Sequence, residues 1–169
     1  MRDIGMDDVA QVGGKNASLG ELIRYVAPKG VRIPEGFCMT AAAYYYFLQK
    51  TGLDALIEKT LHGLNTKNLR ELARCGKLVR DAIRATHLPR DLKKEIVKAY
   101  AEMEKQYGNN ADVAVRSSAT AEDLPGASFA GEHETYLGIR GADEVARAVV
   151  WAIALGGIYD GSEVPKEVN

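Results

Sequence analysis

Cysteine is nearly absent. Cys38 and Cys75 are the two cysteines in a chain of 169 residues, too few and too far apart for a disulfide framework or a cysteine metal site, which fits a reducing compartment. An excess of one charge is also missing: 22 lysines and arginines face 23 aspartates and glutamates, a formal net charge of -1. A chain so balanced offers no broad field to nucleic acid or an anionic membrane, so any anion site must be local. No apolar run approaches the length of a membrane-spanning helix, and the opening MRDIGMDDVAQVGG has neither the basic nor the apolar region of a signal peptide. Internal repeats, low-complexity tracts and Pro/Gly/Ser linkers are wanting as well. The expectation is a soluble, cytoplasmic protein with no nucleic-acid or membrane partner. Its length suits one domain with a substantial core, or two subdomains sharing a crevice.

What is present is concentrated between Val115 and Tyr136, VRSSATAEDLPGASFAGEHETY. The apolar Val113, Ala114 and Val115 predict a short strand, which places Arg116 where that strand runs out into a loop. There its guanidinium offers a planar fork of donors, and Ser117, Ser118 and nearby backbone N–H groups can fill the other oxygen positions of an anion such as phosphate. A plainer reading stands beside it, in which arginine pairs with a carboxylate and the serines cap a following helix. The turn-rich segment from Asp123 to Gly131 likewise reads as a connector or as a loop closing over a ligand. Thr135 to Ile139 predict a second strand leaving it.

Earlier in the chain, Val12-Gly13-Gly14-Lys15-Asn16 precedes Leu19, Leu22, Ile23 and Val26 at helical spacing, with Asn16 or Ser18 as the expected cap. Paired glycines allow close backbone approach, and a lysine at a helix start adds a mobile positive charge to the dipole. The pattern lacks P-loop spacing, so a P-loop fold is not implied, and by itself it also reads as a solvated helix start. Short extended pieces are expected over Val31–Pro34 and Gly36–Met39, with Thr40 capping the next helix. Tyr44, Tyr45, Tyr46 and Phe47 point in different directions on that helix, so packing rather than base stacking is expected of them. Cys38 reads as a small apolar residue rather than a nucleophile. Leu69, Leu72, Gly76, Val79 and Ile83 mark one amphipathic helix, and Leu92, Ile96, Tyr100, Met103 and Tyr107 another. A break at Leu88-Pro89 separates them, and the two are expected to pair as a hairpin. His62 and His87 have no metal-ligand neighbours in sequence and read as surface or capping residues. Val145, Val149, Ala152 and Ile153 predict a last helix partly covered by Trp151.

Three separated stretches, VGGKNASLGEL, VRIPEGFCMTAAAY and VAVRSSATAEDLPGASFAG, resemble in order the nucleotide-binding part of the phosphoenolpyruvate synthase and pyruvate phosphate dikinase family. The resemblance runs from about Gly5 to about Ala152. The runs SSATAEDLP and FAGEHETYL look like the phosphoenolpyruvate synthase, or pyruvate, water dikinase, branch, and rifampicin phosphotransferases share much of them. It implies an α/β (α+β) fold: the first part of an ATP-grasp type nucleotide-binding domain with a helical subdomain, over residues 1–155, and a polar C-terminal tail over 156–169. It also implies ATP with Mg2+, and nucleotide-binding roles for Lys15, Arg116, Gly131 and Thr135.

The family reaction converts ATP, pyruvate and water to phosphoenolpyruvate, AMP and phosphate. The second nucleotide-binding lobe with its magnesium carboxylates, the phosphohistidine domain and the pyruvate barrel are not recognisable in this sequence, so no catalytic residue is assigned and the chain alone is expected to be inactive. His133 is not taken as the phosphate acceptor, since the family places that histidine in a separate domain. Glu132 and His133 stand where relatives more often carry two glutamines, and a carboxylate there would repel polyphosphate unless a cation intervened. The readings are therefore a piece of a phosphoenolpyruvate synthase-like enzyme, a fragment of a rifampicin phosphotransferase-like or other dikinase, and a stand-alone non-catalytic nucleotide-binding or interaction module. The partner would be a separately encoded remainder of the enzyme or a second copy of the chain.

Overall fold

In a computed structural model, residues 1–118 and 135–156 are described. A turn of 3-10 helix, Met6–Asp8, leads into α1 (Val9–Val12) and, after a sharp break at Gly13, into α2 (Gly14–Tyr25). The first residues lie across α2 at Gly20, where an added Cβ would come within 2.9 Å of the Ile4 carbonyl carbon. Glu21 straps them down by accepting a hydrogen bond from the Met6 amide at 3.0 Å. A second 3-10 turn, Ala27–Lys29, ends this unit, and residues 31–40 follow without helix or sheet pairing, so the short extended pieces expected there join no sheet.

The middle of the chain is helical: α3 (Ala41–Thr51), α4 (Leu53–Leu61), α5 (Leu69–Ala85) and α6 (Arg90–Tyr107). Thr40 caps α3 as its composition predicts, its hydroxyl accepting from the Ala43 amide at 3.3 Å. Asn68 does the same for α5, accepting from the Glu71 amide at 3.3 Å. Two short strands, β1 (Val113–Arg116) and β2 (Thr135–Ile139), pair antiparallel, and α7 (Ala142–Gly156) follows β2.

The last helix organises the rest. On one side of α7, Val150, Ile153 and Ala154 meet Phe47 of α3, Leu53 of α4 and Val79 of α5 in the main core. On another side Val145 and Ala146 meet Ile96 and Tyr100 of α6, with Val113 and Ile139 of the strands against them. Small residues let α7 approach several partners at once: Ala146, Ala148, Ala152 and Ala154 are all buried. The expected pairing of α5 with α6 gives way to this arrangement, since each packs chiefly on α7. Val79, Ile83, Ile96 and Tyr100 are buried as their spacing predicts, whereas Leu69, Leu72 and Tyr107 are exposed and Cys75 is buried in their stead; the partner is a third helix rather than each other.

The strands present one face to α7. Val113 and Val115 are half-buried while Ala114 and Arg116 are exposed, the period of two that a half-covered strand requires. Val113 pairs with Ile139 and Val115 with Tyr136, so β2 carries one extra residue. Gly138, at φ +70, lies in this bulge, which keeps both Tyr136 and Ile139 turned inward. The Tyr136 ring packs against Trp151 of α7, with centroids 5.7 Å apart and planes 53° apart.

Tyr100 ties the ends of both strands to α6. Its buried hydroxyl donates to the Ala111 carbonyl at 2.7 Å and accepts from the Gly141 amide at 3.0 Å, one residue before α7. Tyr100→Phe removes the hydroxyl alone and leaves both backbone groups without it. It is expected to lower unfolding stability by about 1–3 kcal/mol, read as a reduced urea midpoint at unchanged slope.

Candidate functional site

Two motifs about a hundred residues apart meet at a single glycine. Gly13 adopts φ +79 and ψ 160, a region almost closed to other residues, and this turns the chain sharply from α1 into α2. Ser118 lies directly against it: a Cβ at Gly13 would fall 2.5 Å from the Ser118 carbonyl oxygen and 2.7 Å from its carbonyl carbon. The Ser118 hydroxyl donates to the Val12 carbonyl at 3.0 Å and accepts from the Asn16 amide at 3.2 Å. Asn16 closes the figure, its side-chain amide donating to the same Val12 carbonyl at 2.8 Å.

Helix α2 is thus capped from outside its own segment. Gly13 at the cap position has no side chain to offer, and Ser118 satisfies the third amide of the helix in its place. Asn16 and Ser18, the caps expected from sequence, lie inside the helix instead. The paired glycines allow the helix to begin at Gly14, three residues earlier than a cap at Asn16 would give. The expectation that Ser118 fills an oxygen position on a bound anion is also corrected, because its hydroxyl is engaged with the glycine turn. Ser117 is half-buried beside it.

This junction sets where the cations stand. Lys15 is exposed in the first turn of α2, adjacent to Asn16. Arg116 is exposed at the last position of β1, two residues before Ser118, so about 7 Å at most separates those Cα atoms. Thr135 is exposed at the first position of β2 and is the Cα partner of Arg116 across the ladder. The sheet register therefore joins Arg116 to Thr135, and the Ser118 clasp joins Arg116 to the Lys15 turn. The positive end of the α2 dipole lies at the same turn. Gly131 lies outside the described residues, as do Glu132 and His133.

Other candidate chemistry falls away. Cys38 is half-buried and burial pushes its thiol up, away from the reactive thiolate; Cys75 is buried. Tyr46 donates to the Asp91 carboxylate, which holds that carboxyl below its usual range and pins α3 to α6. Phe47 is buried in the core and Tyr44 packs against Tyr45, so these aromatics form no stacking platform. Among the described residues no group of three or more His, Cys, Asp and Glu side chains could hold a metal ion. An open groove of about 560 Å³ between α4 and α5, lined by Leu56, Lys59, Arg74 and Cys75 among others, shares no residue with the glycine turn or the strand ends.

Residues 9–155 match the family described as the pyruvate phosphate dikinase AMP/ATP-binding domain, and the chain belongs to that family. Its curated relatives include phosphoenolpyruvate synthases. The protein of that name from Aquifex aeolicus is 51% identical over 148 residues, 87% of this chain and 17% of the relative. That from Neisseria meningitidis serogroup B is 50% identical over 148 residues, 87% of this chain and 19% of its own length. The Escherichia coli K12 protein is 44% identical over 146 residues, 86% of the chain and 18% of the relative. The chain thus spans under a fifth of the length of these relatives. Among the described residues no helix is long and apolar enough to cross a membrane.

Proposed function

We propose that this chain is the ATP-binding part of a phosphoenolpyruvate synthase-like dikinase, with the polyphosphate held where the glycine turn meets the end of β1. The observation that supports this reading is the contact of Ser118 with Gly13, which joins the turn before Lys15 to the segment just after Arg116. Lys15 supplies a mobile point charge and Arg116 a planar fork suited to two phosphate oxygens. Thr135, paired with Arg116, adds a hydroxyl, and Gly131 is assigned to close backbone approach. Cations beside a transferring phosphoryl group stabilise it because they counter charge as it develops. The AMP/ATP-binding family and its phosphoenolpyruvate synthase relatives support ATP as the nucleotide.

In this reading residues 1–155 form the first lobe and helical subdomain of an ATP-grasp type domain, residues 156–169 a polar tail, and the protein works in the cytoplasm. The full reaction, ATP with pyruvate and water to phosphoenolpyruvate, AMP and phosphate, draws on parts beyond this chain, which alone is inactive. Mg2+ accompanies ATP in this chemistry, but the described side chains offer no ligand set for it, so no step is routed through it here.

Trp151 is the one tryptophan of the chain and packs on Tyr136, the neighbour of Thr135, so its fluorescence serves as a reporter of site occupancy. ATP titrated into the chain is expected to change that fluorescence to saturation. Lys15→Ala is expected to weaken the affinity about ten-fold, the worth of one charge-assisted hydrogen bond. Equal affinity in the two proteins would remove Lys15 from the site.

A further inference from the structure

We propose that Ser118 is a positioning residue that couples the two halves of the phosphate site, setting Lys15 relative to Arg116 without touching the nucleotide; this rests on the phosphate-site reading above. Its hydroxyl is a polar link between the two segments, with one hydrogen bond to the Val12 carbonyl before the glycine turn and one from the Asn16 amide after it. Both bonds are made to backbone, so the link fixes the path of the chain on either side of Gly13 rather than one rotamer. The serine is itself two residues from Arg116, whose backbone is held in the β1 ladder. Movement of the α2 start is thereby transmitted to the strand end, and a cation pair set to a fixed separation binds a polyphosphate better than two cations that wander. A second consequence follows from the cap. With the Asn16 amide engaged by Ser118, the helix start is ordered before any anion arrives.

The test is a double-mutant cycle of ATP affinity in the 169-residue chain. Ser118→Ala is expected to weaken ATP binding about ten-fold in the wild-type background and less than about two-fold once Lys15→Ala is present, because its effect passes through Lys15. Ser118→Cys keeps the volume and loses a strong acceptor. It is expected to weaken binding as alanine does, and it carries the test if the alanine variant fails to fold. Wild-type affinity in either variant, or an equal loss in both backgrounds, would overturn the coupling while leaving the phosphate site in place. A wild-type chain that does not bind ATP would overturn the phosphate-site reading and the coupling with it.

Discussion

Gly13→Ala is expected to destabilise the chain by on the order of 4 kcal/mol, combining glycine-only dihedrals with overpacking. The residue stands at φ +79 and ψ 160, where a Cβ is strained whatever its surroundings. Here the surroundings are also full, since the new carbon would lie 2.5 Å from the Ser118 carbonyl oxygen. A flexible side-chain end could step aside, but this oxygen is backbone and its residue is held by two hydrogen bonds at the same turn. Relief therefore requires the glycine turn and the end of β1 to separate, which would also undo the proposed phosphate site. Gly52→Ala is the control: that glycine has φ +73 but open space where its Cβ would go, so only the backbone cost of about 1–2 kcal/mol applies. Urea unfolding of the two variants beside the wild type measures the difference. Equal small losses would mean that Ser118 is not packed on Gly13.

Arg116→Ala is expected to reduce ATP affinity at least about a hundred-fold, since a bidentate arginine supplies two charge-assisted bonds worth about 1.5–3 kcal/mol each. The side chain is exposed at the strand end, so its removal should leave the urea midpoint within experimental scatter. Arg116→Lys keeps the charge and loses the fork, and should recover about ten-fold of the loss. Calorimetric titration with ATP reads all three proteins. If Arg116→Ala bound ATP like the wild type, its guanidinium would have no part in holding the nucleotide.

Much of this was legible because periodicity and caps are local. The stripes of α5 and α6, the Thr40 cap, the β1 run ending at Arg116 and the alanine- and valine-rich last helix are all visible in residue spacing. Helix α4 was not among the expected elements. Its Leu53, Leu56 and Ile57 do repeat at helical spacing, but over nine residues and one residue after α3 the signal is short. The hairpin expectation failed for a different reason: an apolar stripe states that a face is buried, not which helix buries it.

The same limit governs the site. Lys15 and Arg116 stand out in their motifs, and Thr135 is implied by the family resemblance; that it faces Arg116 across a ladder is visible only in the fold. Nothing local to VGGKN or VRSSAT shows that the serine of one lies on the glycine of the other. A contact between residues 102 positions apart depends on the path of everything between them. The glycine pair was the available signal, because two adjacent glycines at a helix start mark a place where backbone comes close; what came close was Ser118.

The most direct measurement is a titration of ATP into the isotopically labelled chain, following the backbone amide signals of Lys15 and Asn16 together with those of Arg116 and Ser117. A single site built from both motifs predicts that the two groups shift along one saturation curve with one dissociation constant. Shifts confined to one group, or two curves with different midpoints, would contradict it.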